Sequence, residues 1–136
     1  MTIRAYREGD EAAVVALWNV SVTARPWNEP LSAIRRKLEV QREMFLVAEV
    51  DGRVVGTTMA GYDGHRGWIY SVAVDEHYRR RGIATALIHE AERLLNEAGC
   101  PKVNLQVMPD NPGAVELYKS LGYAIEDRVS MGKPMK

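Results

Sequence analysis

Near the N-terminus, hydrophobic and polar residues alternate with the two-residue period that is typical of β-strands. Residues 2–6 (TIRAY) alternate, and the apolar segments 44–50 and 53–62 flank the pair Asp51-Gly52. An Asp-Gly pair favours a two-residue hairpin turn, because both of its residues adopt a positive φ easily. The nearly continuous apolar segment 68–74 (WIYSVAV) predicts a third consecutive strand that is covered on both faces. The first half of the sheet is therefore predicted to be antiparallel.

Two helices are predicted between the first two strands. Apolar residues recur at helical spacing over 11–20, and Asp10, directly before this segment, is a candidate N-terminal cap. A second helix is predicted within 31–40, where Leu31, Ile34 and Leu38 fall on one face. The prolines that bracket Trp27 predict a loop between these two helices.

A longer helix follows segment 68–74. Its apolar residues between Ile83 and Leu95 form one stripe, and Gly99 is a typical C-terminal cap. Residues 103–107 (VNLQV) then predict a strand, and a strand, a helix and a strand in succession normally form a right-handed parallel crossover. The helix is therefore expected to pack against the sheet.

The C-terminal part predicts a short helix that ends at Gly122, and residues 124–136 are candidates for a last hairpin strand. The expected fold class is α/β (α+β), with a mixed sheet of about six to seven strands and about four flanking helices. Its N-terminal half is expected to be antiparallel and its central pair parallel.

Composition sets limits on function and location. The 18 basic and 18 acidic side chains cancel, so no overall field favours nucleic acid or a membrane as a partner. The single Cys100 excludes an internal disulfide, the N-terminal segment lacks the apolar run of a signal peptide, and no segment has the length of a membrane span. We expect a cytoplasmic protein with one domain over residues 1–136.

Residues 78–87 (YRRRGIATAL) place three arginines at the start of the third helix. Positive charge there opposes the helix dipole, so a negative ligand is expected. Gly82 leaves the backbone accessible, Ala84 and Thr85 are small, and the N–H groups of a helix N-terminus can bind a pyrophosphate. The alternative is a solvated turn, as charge runs often are.

Two segments resemble signatures of one family. Residues 79–84 (RRRGIA) resemble the acetyl-CoA signature Q/R-x-x-G-x-G/A of the GNAT N-acetyltransferases, and residues 111–123 (NPGAVELYKSLGY) resemble that family's N-x-x-A-x-x-x-Y-x-x-x-G-F/Y segment. The likeness covers nearly the whole chain. Segments 26–30, 45–52 and 61–67 are also similar to a small bacterial subgroup, the YpeA-like proteins.

The resemblance implies the GNAT fold and direct transfer of an acetyl group from acetyl-CoA to a primary amine of a small molecule, peptide or protein. In the family, the strands that correspond to 68–74 and 103–107 splay apart, and the cofactor occupies the gap. The backbone of Val72, Ala73 and Val74 would then bind the pantetheine arm as an added strand does, with the Val72 N–H facing the thioester oxygen.

The same resemblance assigns the pyrophosphate to the turn and the first residues of the third helix. These residues are Arg79, Arg80, Arg81, Gly82, Ile83, Ala84 and Thr85. Asn111 would contact the pantetheine arm, and Tyr118 would reach the sulfur and act as the general acid for the departing CoA thiolate. Homodimers are common in the family, so a homodimer is a further expectation.

The general base is not identified by the sequence. Some family members carry a Glu at the start of the central strand, but no carboxylate lies between Arg66 and Tyr70 here. Tyr70, Asp63 and His65 are candidates near that end of the strand, although each is more often a hydrogen-bonded loop or sheet residue. Trp27 either lines the acceptor pocket or anchors the packing.

Other motifs do not predict a site. The segment 89–93 (HEAER) differs from the zinc motif H-E-x-x-H by an Arg at the second ligand position, so no metal is expected. Neither a P-loop nor a G-x-G-x-x-G motif is present, and Cys100 has no His partner nearby in the sequence. Two other functions stay open: a catalytically silent acyl-CoA binding or sensing module, and a phosphate- or nucleic-acid-binding protein, which the neutral net charge disfavours.

Overall fold

A computed structural model describes residues 1–21 and 25–135 of the chain. The chain divides into two compact units, Met1–Leu105 and a shorter unit that begins at Gln106. The described residues of the first unit hold a five-stranded sheet and three α-helices, and those of the second unit hold one α-helix.

The strands of the sheet lie side by side in the order in which they occur along the chain. They are Thr2–Ala5 (β1), Phe45–Val50 (β2), Arg53–Tyr62 (β3), Gly67–Val74 (β4) and Val103–Leu105 (β5). The pairs β1–β2, β2–β3 and β3–β4 are antiparallel, whereas β4 and β5 are parallel. Asp51 and Gly52 join β2 to β3 with φ values of 51° and 76°, as the predicted hairpin turn requires.

The α-helices of the described residues are Glu11–Ser21 (α1), Pro30–Leu38 (α2), Ile83–Glu97 (α3) and Pro112–Ser120 (α4). Helix α2 begins after Glu29, whose carboxylate accepts hydrogen bonds from the N–H groups of Leu31 and Ser32. Helix α3 forms the crossover from β4 to β5, and Gly99 follows it with a φ of 87°. Within the described ranges, none of these helices has the length and apolar character needed to cross a bilayer.

Helices α1 and α2 pack on one face of the sheet. The ring of Phe45 lies between two other aromatic rings, 4.5 Å from Tyr6 and 5.8 Å from Trp18. Val14 of α1 and Ile34 of α2 join the same buried cluster. Burial of each such side chain contributes roughly 1.5–3 kcal/mol to the free energy of folding. This apolar face holds α1 against the centre of the sheet.

Asp10 does not cap α1 in the way that its position predicts. Its carboxylate accepts a hydrogen bond of 2.8 Å from the Arg7 N–H and pairs with the Arg4 guanidinium at 2.8 and 3.0 Å. Arg4 also donates to Glu49 of β2 at 2.8 Å. Asp10 therefore joins the turn before α1 to the edge of the sheet.

The fold class and the four helices are confirmed, but the predicted strand count is wrong for the described residues. The expected strand over 103–107 ends at Leu105, and no strand forms over 124–135, where Ile125 and Val129 are 78% and 89% exposed. Pro134 has no N–H to donate to a sheet. A strand also needs a partner for its backbone groups, and none of the described strands pairs with this segment.

Candidate functional site

The outer edge of β4 loses its partner strand halfway along. Strand β5 pairs with β4 only from Gly67 to Ile69, and no other strand in the described part of the first unit pairs with that side of β4. The sequence-predicted residues Val72, Ala73 and Val74 all lie on the unpaired part. Such an edge offers a row of N–H and C=O groups to an extended ligand.

The direction of these backbone groups follows from the pairing with β3. The Asp75 N–H donates to the Val55 carbonyl of β3 at 2.8 Å. Successive N–H groups of a strand point to opposite edges, so the N–H groups of Val74 and Val72 are directed away from β3. They therefore face the unpaired edge.

A β-bulge interrupts β4 directly before Val72. Thr57 pairs with Ala73 and Met59 pairs with Tyr70, so three steps along β4 match two steps along β3. Ser71, inside this bulge, has a φ of 53°, a left-handed conformation that is uncommon for a residue with a side chain. Strained backbone of this kind is concentrated at functional sites.

A second group of unsatisfied N–H groups lies at the start of α3. Arg80 and Gly82 have φ values of 65° and 76°, which turn the chain into the helix. The first intrahelical hydrogen bond runs from the Ala86 N–H to the Gly82 carbonyl at 3.0 Å. The N–H groups of the helical residues before Ala86 therefore have no acceptor within the helix. No side chain of the described residues caps this end. The N–H groups of Ile83, Ala84 and Thr85, called the nest below, are thus open to an anion, and the binding of a pyrophosphate there stays a prediction.

The three arginines beside this nest are exposed. The Arg81 guanidinium lies over the Tyr78 ring, 4.9 Å from its centroid. Among the described residues, no carboxylate forms an ion pair with Arg79, Arg80 or Arg81. Their charge is therefore available to a bound anion, as the sequence predicts.

Close packing brings the nest and the β4 edge together. A Cβ placed on Gly56 of β3 would lie 3.0 Å from Cγ2 of Ile83 and 3.3 Å from the Ala73 carbonyl oxygen. The absence of a side chain at Gly56 thus lets the first turn of α3 approach the sheet where β4 is unpaired. The predicted residues from Val72 to Val74 and from Arg79 to Thr85 occupy one region of the first unit.

Asn111 and Tyr118 belong to the second unit. The Asn111 carboxamide oxygen accepts a hydrogen bond of 3.2 Å from the Ala114 N–H, so this residue caps α4. Tyr118 is buried, its ring meets Tyr123 edge-on at 5.9 Å, and burial raises its pKa above 10. The roles of both residues toward a cofactor stay predictions.

The three candidates for a general base lie at the start of β4 and in the loop before it. The Asp63 carboxylate accepts hydrogen bonds of 2.8 Å from the N–H groups of both Arg66 and His65, which lower its pKa. Burial, and to a smaller extent the charge of Asp63, raises the pKa of the Tyr70 phenol. Asp63 is thus a weakened base, and Tyr70 keeps its proton at neutral pH.

Sequence reasoning missed a cavity that Asp63 and Tyr70 share with Lys37 of α2. It has a volume of about 260 Å³, and its lining includes Lys37, Gln41, Tyr62, Asp63, Trp68 and Tyr70. The Lys37 ammonium group donates to the Ala60 carbonyl at 2.5 Å, and burial lowers its pKa. The polar residues Lys37, in the last turn of an amphipathic helix, and Gln41, shortly after it, were the available signal in the sequence.

Two other expected positions have structural partners. The Cys100 thiol donates to the Lys102 carbonyl at 3.2 Å, and a Cβ on Gly67 would lie 2.6 Å from its sulfur. Trp27 is 55% exposed, and its carbonyl accepts a hydrogen bond of 2.7 Å from Arg36. In the segment 89–93, Arg93 pairs with Glu90 on the exposed face of α3.

Solved structures share this fold. Ard1 from Thermoplasma volcanium superposes with a TM-score of 0.80 at 31% identity, over 92% of this chain and 83% of its own. An aminoglycoside N-acetyltransferase, AAC(6')-Iy, solved in complex with CoA, superposes with a TM-score of 0.82 over 98% of this chain and 93% of its own; at 19% identity this likeness concerns the fold alone. The fold of this chain is thus one that solved N-acetyltransferases have.

The sequence comparisons identify the family. The model of the acetyltransferase (GNAT) family matches residues 12–123. An acetyltransferase of Pectobacterium atrosepticum is 46% identical over 133 residues, which cover 98% of this chain and 94% of the relative. An acetyltransferase of Sodalis glossinidius is 48% identical over 129 residues, which cover 95% and 91%. The chain belongs to the GNAT family, and the expected family and enzyme class are confirmed.

Proposed function

We propose that this protein transfers an acetyl group from acetyl-CoA directly to a primary amine of a small molecule, peptide or protein. The observation that carries the proposal is the open edge of β4 at Val72–Val74, which leads into the uncapped N-terminus of α3. An extended pantetheine arm fits the first feature and a pyrophosphate fits the second. Under this proposal residues 1–136 act as one acetyltransferase domain in the cytoplasm.

The cofactor is held mainly by backbone groups. The pyrophosphate binds the N–H groups of the first turn of α3, and the guanidinium groups of Arg79, Arg80 and Arg81 add charge and forked donors. The pantetheine arm pairs with the edge of β4 from Val72 to Val74. Asn111 contacts the same arm.

The chemical step requires stabilisation of the oxyanion that forms on the thioester carbonyl. The Val72 N–H, directed to the open edge, is the proposed donor, and one such donor typically lowers the barrier by about 3 kcal/mol. The amine nitrogen attacks the carbonyl carbon, the carbon–sulfur bond breaks, and Tyr118 donates its proton to the leaving thiolate. The proton that the nitrogen loses as the amide forms returns Tyr118 to its neutral form. The raised pKa of Tyr118 keeps that proton in place at neutral pH.

The acceptor amine is proposed to bind in the cavity beside Trp68 and Tyr70. These two rings stack with their centroids 6.3 Å apart, and Asp63 adds a negative charge that offsets the positive charge of Lys37 in the same lining. Aromatic faces and a carboxylate both attract an ammonium group before it loses its proton. Because the hydrogen bonds that lower the pKa of Asp63 make it a weak base, we assign loss of that proton to the bulk solvent, through a chain of water molecules, before the amine attacks.

The test is acetyl transfer itself. The purified chain is incubated with acetyl-CoA and a panel of primary amines, and the products are followed by their acetyl mass increment and by release of the CoA thiol. Calorimetry measures acetyl-CoA binding in parallel. Transfer to at least one amine with release of one thiol per acetyl group supports the proposal.

A second candidate function is an acyl-CoA binding or sensing module without catalysis. It is favoured by one observation: among the described residues of β4 there is no carboxylate, and Asp63 nearby is held by its own turn. Tight acetyl-CoA binding with no transfer to any amine of the panel would favour this module. Failure to bind acetyl-CoA would contradict both functions.

A further inference from the structure

A chain of two hydrogen bonds, the first buried and the second partly buried, runs from α1 to the bulge of β4. The Trp18 indole N–H donates to the Thr57 hydroxyl oxygen at 2.8 Å, and that hydroxyl donates to the Ser71 carbonyl at 3.0 Å. Trp18 is 3% exposed and Thr57 is fully buried. An indole N–H can only donate, so the Thr57 hydroxyl must accept from Trp18. The hydroxyl proton is therefore directed to the Ser71 carbonyl.

A second threonine supports the same bulge from the other face. The Thr58 hydroxyl donates to the Tyr70 carbonyl at 3.3 Å, and Thr58 is also fully buried. Adjacent residues of a strand point to opposite faces, so Thr57 and Thr58 bind the bulge from the two sides of the sheet. A bulge disrupts the backbone ladder locally, and these hydroxyl groups supply donors to the two carbonyl groups.

The Ser71 carbonyl and the Val72 N–H belong to one peptide unit. In a trans peptide these two groups point in opposite directions within one plane. A hydroxyl that holds the Ser71 oxygen on the β3 side therefore directs the Val72 N–H to the opposite, unpaired side of β4. A hydrogen bond to the carbonyl also polarises the peptide and strengthens its N–H as a donor.

We propose that Thr57 is a positioning residue for acetyl transfer, and that Trp18 orients its hydroxyl while Thr58 steadies the neighbouring peptide. Thr57 acts through the Ser71–Val72 peptide, whose N–H it aims at the thioester oxygen. The inference rests on the proposed function for its catalytic consequence. The orientation of the Val72 amide, in contrast, can be measured without any activity.

The test compares two substitutions of Thr57 that differ in the hydroxyl group. Thr57→Val keeps the shape and removes the donor, whereas Thr57→Ser keeps the donor. Thr57→Val is expected to lower kcat by about 10- to 100-fold, as expected for a weakened oxyanion donor, while the KM for acetyl-CoA changes by less than about threefold. Thr57→Ser should restore kcat to within about threefold of the wild type.

Two further variants separate positioning from stability. Trp18→Phe removes the indole donor and should lower kcat less than Thr57→Val, because the hydroxyl remains but is no longer oriented. Leu95→Ala, which removes buried methyl groups from the C-terminal half of α3, is the control for a weakened core and should leave kcat unchanged below its melting temperature. Equal loss of kcat in Leu95→Ala and Thr57→Val would overturn the proposal.

The readout without activity is the ¹H–¹⁵N spectrum of the labelled chain. Thr57→Val should shift the Val72 amide and the Trp18 indole resonances, and Thr57→Ser should return both toward their wild-type positions. An unmoved Val72 amide in Thr57→Val would overturn the positioning role. If the wild type binds acetyl-CoA but acetylates nothing, the proposed function fails. The Val72 resonance still tests the positioning role of Thr57 in that case, because it is measured without activity.

Discussion

Gly56 of β3 and Ile83 of α3 approach so closely that a Cβ on Gly56 would lie only 3.0 Å from Cγ2 of Ile83. The same Cβ would lie 3.1 Å from Leu87 Cδ1 and 3.3 Å from the Ala73 carbonyl oxygen, so its neighbours lie on two different elements. The position of the α3 N-terminus relative to the edge of β4 therefore depends on the lack of a side chain at residue 56.

The substitution Gly56→Ala is expected to move the start of α3 away from the sheet. Overpacking of this kind typically costs about 1–3 kcal/mol of stability. We also expect acetyl-CoA binding to weaken by about tenfold, because the nest and the β4 edge bind one ligand and a small displacement separates them. Thermal unfolding and calorimetry measure the two effects.

Gly61→Ala on the same strand is the control for Gly56→Ala. The nearest atom to its Cβ is the end of the flexible Gln41 side chain at 3.3 Å, so this variant should keep its affinity for acetyl-CoA. Equal affinities for acetyl-CoA in Gly56→Ala and the wild type would contradict the inference that cofactor binding depends on the close contact between Gly56 and α3.

Asp10 makes the free energy of unfolding depend on pH in the acidic range. Burial alone raises the pKa of its carboxyl group, but the hydrogen bonds from Arg4 and from the Arg7 N–H outweigh burial and lower the pKa below 3.8. A lowered folded-state pKa contributes stability above the unfolded pKa, and this contribution is lost as the pH falls through the folded value. Asp10→Asn should therefore destabilise the chain by about 1–3 kcal/mol at pH 7.

The difference between Asp10→Asn and the wild type should narrow as the pH falls below about 4. Urea unfolding at several pH values measures it. Glu8→Gln, which removes an exposed ion pair with Arg42, is the control and should change stability by less than about 1 kcal/mol. A difference that persists undiminished at pH 2.5 would contradict the assignment to ionised Asp10.

Local sequence patterns predicted the elements that are specified by nearby residues. The turn at Asp51-Gly52 and the end of α3 before Gly99 need only the backbone preferences of a few residues. The basic turn before α3 could be recognised in the sequence because three consecutive arginines at a helix N-terminus oppose the helix dipole and do not stabilise the helix. These features do not require knowledge of the tertiary structure.

Features that depend on pairing between distant residues were not predictable in the same way. The bulge at Ser71 arises from the register of β4 against β3, and the sequence WIYSVAV alone carries no signal of a left-handed residue. The hydrogen bond between Trp18 and Thr57 joins positions 39 residues apart. Two adjacent threonines in an otherwise apolar strand were the sole local hint of this polar contact.

The pyrophosphate hypothesis predicts that the arginine turn distinguishes cofactors by their phosphate groups. Arg79→Gln combined with Arg80→Gln should weaken acetyl-CoA binding by about tenfold or more and reduce its dependence on salt, because exposed charges are screened. Binding of acetyl-pantetheine, which lacks the diphosphate, should be unchanged. Calorimetry at two salt concentrations measures both ligands.

Arg53→Gln is the control for the arginine turn, because Arg53 is an exposed arginine at the start of β3. It should bind both ligands like the wild type. If the double variant loses as much affinity for acetyl-pantetheine as for acetyl-CoA, the arginines do not act on the phosphates.

Tyr118 as general acid predicts a specific pH dependence of turnover. A general acid must carry its proton, and burial raises the pKa of Tyr118 above 10, so its protonated form persists to a higher pH than that of an exposed tyrosine. We expect no loss of kcat from deprotonation of this group below about pH 10. Tyr118→Phe should lower kcat by about 100-fold and leave acetyl-CoA affinity nearly unchanged.

The matched control is Tyr6→Phe. Tyr6 is a buried tyrosine of the aromatic cluster whose pKa is also raised, and its substitution should leave kcat at the wild-type value. Steady-state kinetics with acetyl-CoA between pH 6 and pH 10 would contradict the assignment if Tyr118→Phe turned over at the wild-type rate.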